Sequence, residues 1–294
     1  MQGLYKILCD GIIVHKKNVI TDIGRITTLN AIAGKIKGFA ESIVVGIGNT
    51  SASTSDKKLD FLVSGADIST IITDPVNEKL YFKAVLPVVD QYEVHELGCY
   101  TSRFNSAAQS GANQGALLNN FNSSTPWIST SGSHTVSGSN SRLDADSIQY
   151  ILSASATGTG YVATSLDLIN LPADTIFSLA YYVTGISDVI LRFKNDDSNY
   201  YTYDGVSVTN GYQIAEFLKS DFVSTGSPAW NGITQIELSA IAGGSGGTFS
   251  VDGLRYDIPN NNENGLLSRA VLSSPIQKMS GLTMDIEYVL ELDL

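Results

Sequence analysis

The densest group of ligand-type side chains in this 294-residue chain is NDDSNYYTYDG at 195–205, where Tyr200, Tyr201 and Tyr203 stand beside Asp196, Asp197 and Asp204. Flat apolar rings beside hydrogen-bond acceptors suit a polyhydroxylated ligand such as a sugar: a ring covers C–H faces while carboxylates take hydroxyl groups. The candidate glycan-binding set is Tyr200, Tyr201, Tyr203, Asp196 and Asp197. Strand alternation leaves a second use open. Tyr201 and Tyr203 share one face and can serve a core, leaving Tyr200 and Thr202 outward, or the reverse.

Catalytic chemistry has less to work with. The three histidines are His15, His95 and His134, and no G-x-S-x-G elbow, H-E-x-x-H helix or Cys-His metal spacing accompanies them. Asp196 and Asp197 are a carboxylate pair of the kind that hydrolyses glycosides, but adjacent strand residues point to opposite faces. GIGNTSAS at 46–53 lacks the Lys-Ser/Thr of a phosphate loop and reads as a strand-end turn. Asp252 is a single candidate calcium oxygen, short of a site by itself. The expectation is no enzyme, no cofactor and no metal.

Composition points to strands. Charged residues make up 16% of the chain, hydrophobic residues 43%, and the net charge of −11 argues against a phosphate-tracking surface and hence against nucleic acid. The N-terminal residues show no secretory leader and no apolar run reaches membrane-spanning length, so a protein made in a cytoplasm is expected. Cys9 and Cys99 read as buried thiols in strands, with a disulfide left open.

LYKILCDGIIVH predicts two strands about an Asp-Gly turn, and Ile20, Ile23, Ile26, Leu29 and Ile32 recur every third residue as one apolar helical face. Two strands follow within 79–100. Beyond Arg103 the chain turns polar, then resumes as regularly spaced short strands ending near Pro259, the pattern of a β-sandwich or jelly roll. Residues 100–265 hold six basic and fourteen acidic side chains, so the middle carries most of the negative charge.

ENGLLSRAVLSSPIQK at 263–278 then opens a strand with no partner just upstream. Removing the middle joins VHELGCYTSR to it as an ordinary hairpin, so its expected partner is the segment near 92–101. Insertion at a hairpin tip disturbs no buried backbone. The expected fold is mainly β: a split outer domain (1–103 plus 263–294) with one N-terminal helix, a linker (104–125), an inserted β-sandwich jelly roll (126–258) and a return linker (259–262).

The outer phrases NVITDIGRITTLNAIAG, IVVGIGNTSASTSDKKL, YEVHELGCY and LLSRAVLSSPIQKMSGLTMDIEYVLEL resemble those of bacteriophage tail-fibre and related appendage proteins. The middle, through DVILRFKNDDSNYYTYDG, GSPAWNGITQIELSA and GTFSVDGLRYD, is similar to galactose-binding-like jelly rolls, also seen as carbohydrate-binding modules. These resemblances imply a non-enzymatic virion protein of tail fibre, baseplate, neck or head decoration. It would dock through the split domain and display an outward jelly roll, with host-surface glycan adhesion as the use such a module offers. Its partners would be other virion proteins, itself as an oligomer (a trimer being typical of such appendages) and a host polysaccharide. The alternatives are a dedicated glycan-binding receptor module and, less favoured, a polysaccharide depolymerase.

Overall fold

The computed structural model describes residues 2–36, 39–105, 110–111, 115–258 and 265–292. The first part forms β1 (Gln2–Cys9), β2 (Ile12–Lys17), β3 (Val19–Ile20), α1 (Asp22–Ile32), β4 (Ser42–Gly46), β5 (Leu62–Asp67), β6 (Thr70–Asp74), β7 (Lys79–Leu86) and β8 (Tyr92–Tyr100). There follow β9 (Phe104–Asn105), β10 (Ser110–Gly111), β11 (Gly115–Asn119), β12 (Trp127–Ser131), β13 (His134–Ser137), β14 (Ser147–Leu152), β15 (Thr157–Leu166), β16 (Ile176–Thr184) and β17 (Ile186–Lys194). The remainder is β18 (Tyr200–Tyr203), β19 (Gly211–Leu218), β20 (Val223–Thr225), β21 (Ile233–Ala242), β22 (Gly247–Asp257), β23 (Leu266–Lys278) and β24 (Met284–Glu291). The chain divides into two compact units, residues 1–117 with 259–294 as unit 1 and 118–258 as unit 2.

Unit 1 holds two five-stranded sheets, ordered β2-β1-β24-β7-β6 and β3-β23-β8-β4-β5. The Asp-Gly turn appears as expected, with Asp10 at φ 49° and Gly11 at φ 74°, the double positive φ of a tight hairpin. Alternation buries Tyr5, Ile7, Phe82, Ile286 and Tyr288, and the Tyr5 hydroxyl reaches Ser268 Oγ at 2.8 Å. Cys9 and Cys99 are buried free thiols.

The orphan C-terminal strand finds the partner its sequence implied. Ala270 pairs with Leu97 and Val271 with Glu96; the ladder then breaks across Ser273-Ser274-Pro275 and resumes with Ile276 opposite Val94. Proline cannot donate to a ladder, so the break falls where it is tolerated. At the far end of this pair, Thr101 N donates to Gly265 O (3.2 Å) and Gly265 N to Thr101 Oγ1 (2.9 Å).

Helix α1 forms where the Ile period predicts, but that period does not face this unit's interior. Ile26, Leu29 and Ile32 are 60%, 66% and 69% exposed, while Gly24, Thr27 and Thr28 are buried. Thr21 caps the helix by accepting from Gly24 N (2.9 Å) and its hydroxyl donates to Leu266 O, which seats the first turn against β23.

Unit 2 is an antiparallel β-sandwich. One sheet runs β13-β14-β22-β16-β19, with β11 also on β22; the other runs β12-β15-β21-β17-β18-β20. Between them lie Phe177, Leu179, Tyr181, Val189, Leu191, Phe193, Ile236, Leu238, Phe249 and Val251, all 0–1% exposed. Burial of each large apolar side chain supplies about 1.5–3 kcal/mol, so this interior accounts for the unit's cohesion.

Residues 118–125 correct the expected 104–125 linker. Phe121 is fully buried in unit 2, edge-on to Trp127 with ring centroids 5.7 Å apart. One aromatic residue in a polar stretch gives no periodic signal, which is why the segment read as a linker. Residues 106–109 and 112–114, and the return linker at 259–262, lie outside the described residues.

Candidate functional site

The β12-β15-β21-β17-β18-β20 sheet of unit 2 turns one set of alternate residues inward and the other outward. Its register lines the outward set into rows. Ile128 lies opposite Tyr161, Tyr161 opposite Glu237, Glu237 opposite Arg192, and Arg192 opposite Thr202. The next row runs Ala163, Gln235, Lys194, Tyr200 and Thr225. Strands lie about 4.8 Å apart, so the three intervals from the Tyr161 strand to the Tyr200 strand put these rings about 14 Å apart across the sheet.

A charged cluster occupies the middle of these rows. Arg192 Nη1 donates to Glu237 Oε1 (2.6 Å), and Lys194 Nζ donates to Glu237 Oε2 (3.2 Å) and Asp197 Oδ1 (2.7 Å). The Arg192 and Glu237 side chains are 26% and 10% exposed. Burial works against the Lys194 ammonium, but its hydrogen bonds to Asp197 and Glu237 outweigh this and hold its pKa above the ordinary value. Two cations and two carboxylates balance, so the cluster offers polar partners of both kinds with no net charge of its own.

Tyr200 is part-exposed at one edge of the cluster, with the Arg192 guanidinium carbon 5.7 Å from its ring centre. Tyr161 is part-exposed on the other side. Alternation on β15 turns it outward, while Gly160 beside it yields its inward place to the Trp127 and Tyr150 side chains, which a Cβ there would meet at 2.5 Å.

Three of the five residues expected from sequence do other work. Tyr201 stacks on Trp230 with centroids 3.9 Å apart and an 8° interplanar angle, and its hydroxyl donates to Pro228 O (2.9 Å). Tyr203 stacks on Phe217 at 4.4 Å. Both are therefore interior-facing, and the alternation of β18 sends only Tyr200 and Thr202 out.

Asp196 closes its own turn by accepting from Asn199 Nδ2, Ser198 N (2.8 Å) and Asn199 N (3.0 Å). The Asn199 side chain leads the donors that hold its pKa below the ordinary carboxylate range. Asp197 is 93% exposed and reaches the cluster through Lys194. Tyr200 and Asp197 are thus the two expected residues that the fold brings to the outward face.

Tyr161, Arg192, Lys194, Gln235 and Glu237 were not singled out from sequence. For the four polar residues the signal was present in DVILRFK and ITQIELS, where they take the parity opposite Val189, Leu191 and Phe193 and opposite Ile236 and Leu238. What sequence did not supply was the order in which the strands lie side by side.

Other chemistry-bearing residues are accounted for elsewhere. Ser129 Oγ lies 2.8 Å from His134 Nδ1, a serine–imidazole pair, but it also lies 2.8 Å from the Tyr150 hydroxyl, which accepts from Trp127 Nε1 (2.9 Å). This chain of bonds ties β12 and β13 to β14. No carboxylate orients that imidazole among the described residues. Asp252 is fully buried and accepts from Tyr212 Oη, Ser141 Oγ (2.8 Å), Arg142 N (2.8 Å) and Leu143 N (3.0 Å). Its oxygens are occupied by donors that fix the 141–143 loop, an arrangement for holding backbone and unlike a cation cage. No cluster of metal-ligating side chains occurs among the described residues.

No protein-family model matches the chain, and no curated protein does. Solved structures do. A family 11 carbohydrate-binding module from Clostridium thermocellum, in complex with a β-1,3-1,4-mixed-linked tetrasaccharide, is 14% identical over 52% of this chain and 100% of that one, with a TM-score of 0.40. The module TmCBM61 in complex with β-1,4-galactotriose is 13% identical over 45% of this chain and 87% of its own, with a TM-score of 0.31. The enzymatically active domain of tailspike protein 4 from bacteriophage CBA120 is 14% identical over 48% of this chain but only 21% of its own, with a TM-score of 0.30. The structural neighbours of this chain thus include carbohydrate-binding modules and a phage tailspike fragment.

Proposed function

We propose that this chain is a non-enzymatic structural protein of a bacteriophage particle. In this reading it docks and assembles through unit 1 and binds a host-surface glycan on the outward rows of unit 2. One observation carries the glycan reading: Arg192, Lys194, Glu237 and Asp197 form a charge-balanced cluster on a sheet face, flanked by Tyr161 and Tyr200. Glu237 accepts from sugar hydroxyls, Arg192 and Lys194 donate to them, and the two rings cover C–H faces. The balance of charge favours an uncharged glycan, since an acidic one would compete with Glu237 for the same cations. Support for a particle location comes from the outer phrases, from YEVHELGCY to LLSRAVLSSPIQK, that resemble phage appendage proteins. The site of synthesis would be the host cytoplasm.

The test is a glycan array with the full chain, followed by titration of any sugar that binds against Tyr161→Ala and Arg192→Ala. Each change is expected to weaken binding at least about tenfold, the loss of one stacking or charge-assisted contact. Binding that both variants leave unchanged would remove the outward rows as the site.

A further inference from the structure

An unused surface of unit 1 carries two complementary shapes. The first is a ridge. Ile26, Leu29 and Ile32 stand one helical turn apart along α1 and are 60%, 66% and 69% exposed, because the helix is seated through Gly24, Thr27 and Thr28 instead. The second is a groove of about 680 Å³ lined chiefly by Ile32, Phe39, Ile68, Ile71, Leu80 and Leu290. Ile71, at one wall, is 59% exposed. Contiguous apolar surface of this kind marks an interaction site, and an apolar helical ridge is the shape that an apolar groove receives.

We infer that the occupant of each groove is the α1 ridge of a second copy of this chain. Three observations favour a copy over an unrelated partner. Ridge and groove adjoin, with Ile32 belonging to both, so a two-fold axis passing near Ile32 lets each copy's ridge enter the other's groove. Charge allows the contact: Arg25, 61% exposed on the ridge helix and paired only at 4.0 Å with the equally exposed Asp22, can exchange that weak partner for a groove edge bearing Glu41 and Asp67, 42% and 47% exposed. Arg103 lies between those two carboxylates at 3.8 and 4.0 Å and neutralises only one of them. Finally, a symmetric pair forms the contact twice, which doubles the area it buries toward the roughly 1,200 Å² that a stable interface needs.

This inference rests on reading unit 1 as the assembling part of the protein, and it names the partner. The experiment is sedimentation velocity over a concentration series, using the full chain, Leu29→Asp on the ridge and Ile71→Lys in the groove. The wild-type chain is expected to self-associate, and each variant to raise the dissociation constant at least about 100-fold. Mixing the two variants is expected to restore association, since a wild-type ridge then meets a wild-type groove on one side of the axis and the introduced carboxylate meets the introduced ammonium on the other. Misfolded chains could not show that rescue. A wild-type chain that stays monomeric overturns the inference, and so does a mixture no more associated than its components. Mass spectrometry of purified particles separates the two readings. A chain present in particles but monomeric in solution overturns self-association alone. An associating chain absent from particles overturns the particle reading and leaves the ridge-in-groove contact standing.

Discussion

Arg269 Nε lies 2.9 Å from Glu96 Oε2, although 173 residues separate the two in the chain. Both are buried, at 2% and 0% exposure. Glu96 also accepts from Gly48 N (3.1 Å), Asp60 N (3.1 Å) and Phe61 N (3.0 Å), while Arg269 reaches Asp56 (2.9 Å), Asp60 (2.7 Å) and Thr50 O (3.2 Å). The pair therefore ties the loop after GIGNTSAS to the central strands β8 and β23. Replacing Arg269 by Met strands a buried carboxylate and is expected to cost about 3–5 kcal/mol. Urea unfolding of the full chain measures it. The double change Arg269→Met with Glu96→Gln should recover part of the loss, and a single-variant cost below about 1 kcal/mol would show the pair to be dispensable.

Gly24 provides a sign test. In an exposed helix interior, Gly→Ala stabilises by about 1 kcal/mol. Here a Cβ would stand 2.1 Å from Leu267 O, so the helix would have to lift from β23. Gly24→Ala is expected to destabilise unit 1 by about 1–3 kcal/mol, an overpacking cost. A raised unfolding midpoint would mean that α1 does not rest on that strand.

Tyr200 and Tyr201 are neighbours with different employment. Tyr201→Ala removes a ring stacked on Trp230 and should cost about 3 kcal/mol of stability, as deletion of a packed aromatic does. Tyr200→Ala is expected to change stability by no more than about 0.5 kcal/mol while weakening any glycan that binds. Thermal melts beside titrations check both at once. The reverse pattern would assign the outward face to Tyr201.

Asp252 makes unit 2 sensitive to pH. Burial raises its pKa from 3.8 to about 6, against the opposing hydrogen bonds from Tyr212, Arg142 N, Ser141 and Leu143 N. Between those values the folded chain holds the extra proton, so the group's contribution is greatest below about pH 4 and declines as pH rises through about 6. The difference in melting temperature between wild type and Asp252→Asn should therefore shift against the wild type on going from about pH 4 to about pH 7. A difference that ignores pH would place the carboxyl in a less perturbed state.

Much of the architecture was readable from local pattern. The Asp10-Gly11 hairpin, the β8–β23 pairing around Ser273-Ser274-Pro275 and the sandwich strands follow from period-two alternation and turn residues. Helix α1 was readable too, but not its seat, because Thr21 and Gly24 meet the β23 backbone closely without an apolar period. Phe121 was missed since a single buried ring leaves no repeat. The outward rows were only half legible: the parity of Arg192 and Glu237 is written in each strand, whereas their adjacency comes from a pairing between residues 45 positions apart.

Thr101 and Gly265 bond to each other at the adjoining ends of β8 and β23, so these two strand ends are held together whatever lies between them. Such a closure makes the intervening polypeptide an exchangeable cassette. A foreign module whose own ends lie close together could be spliced there through two peptide bonds, with the Glu96–Arg269 clasp untouched. The inserted module could then be exchanged by recombination at that doorway, without redesign of the base.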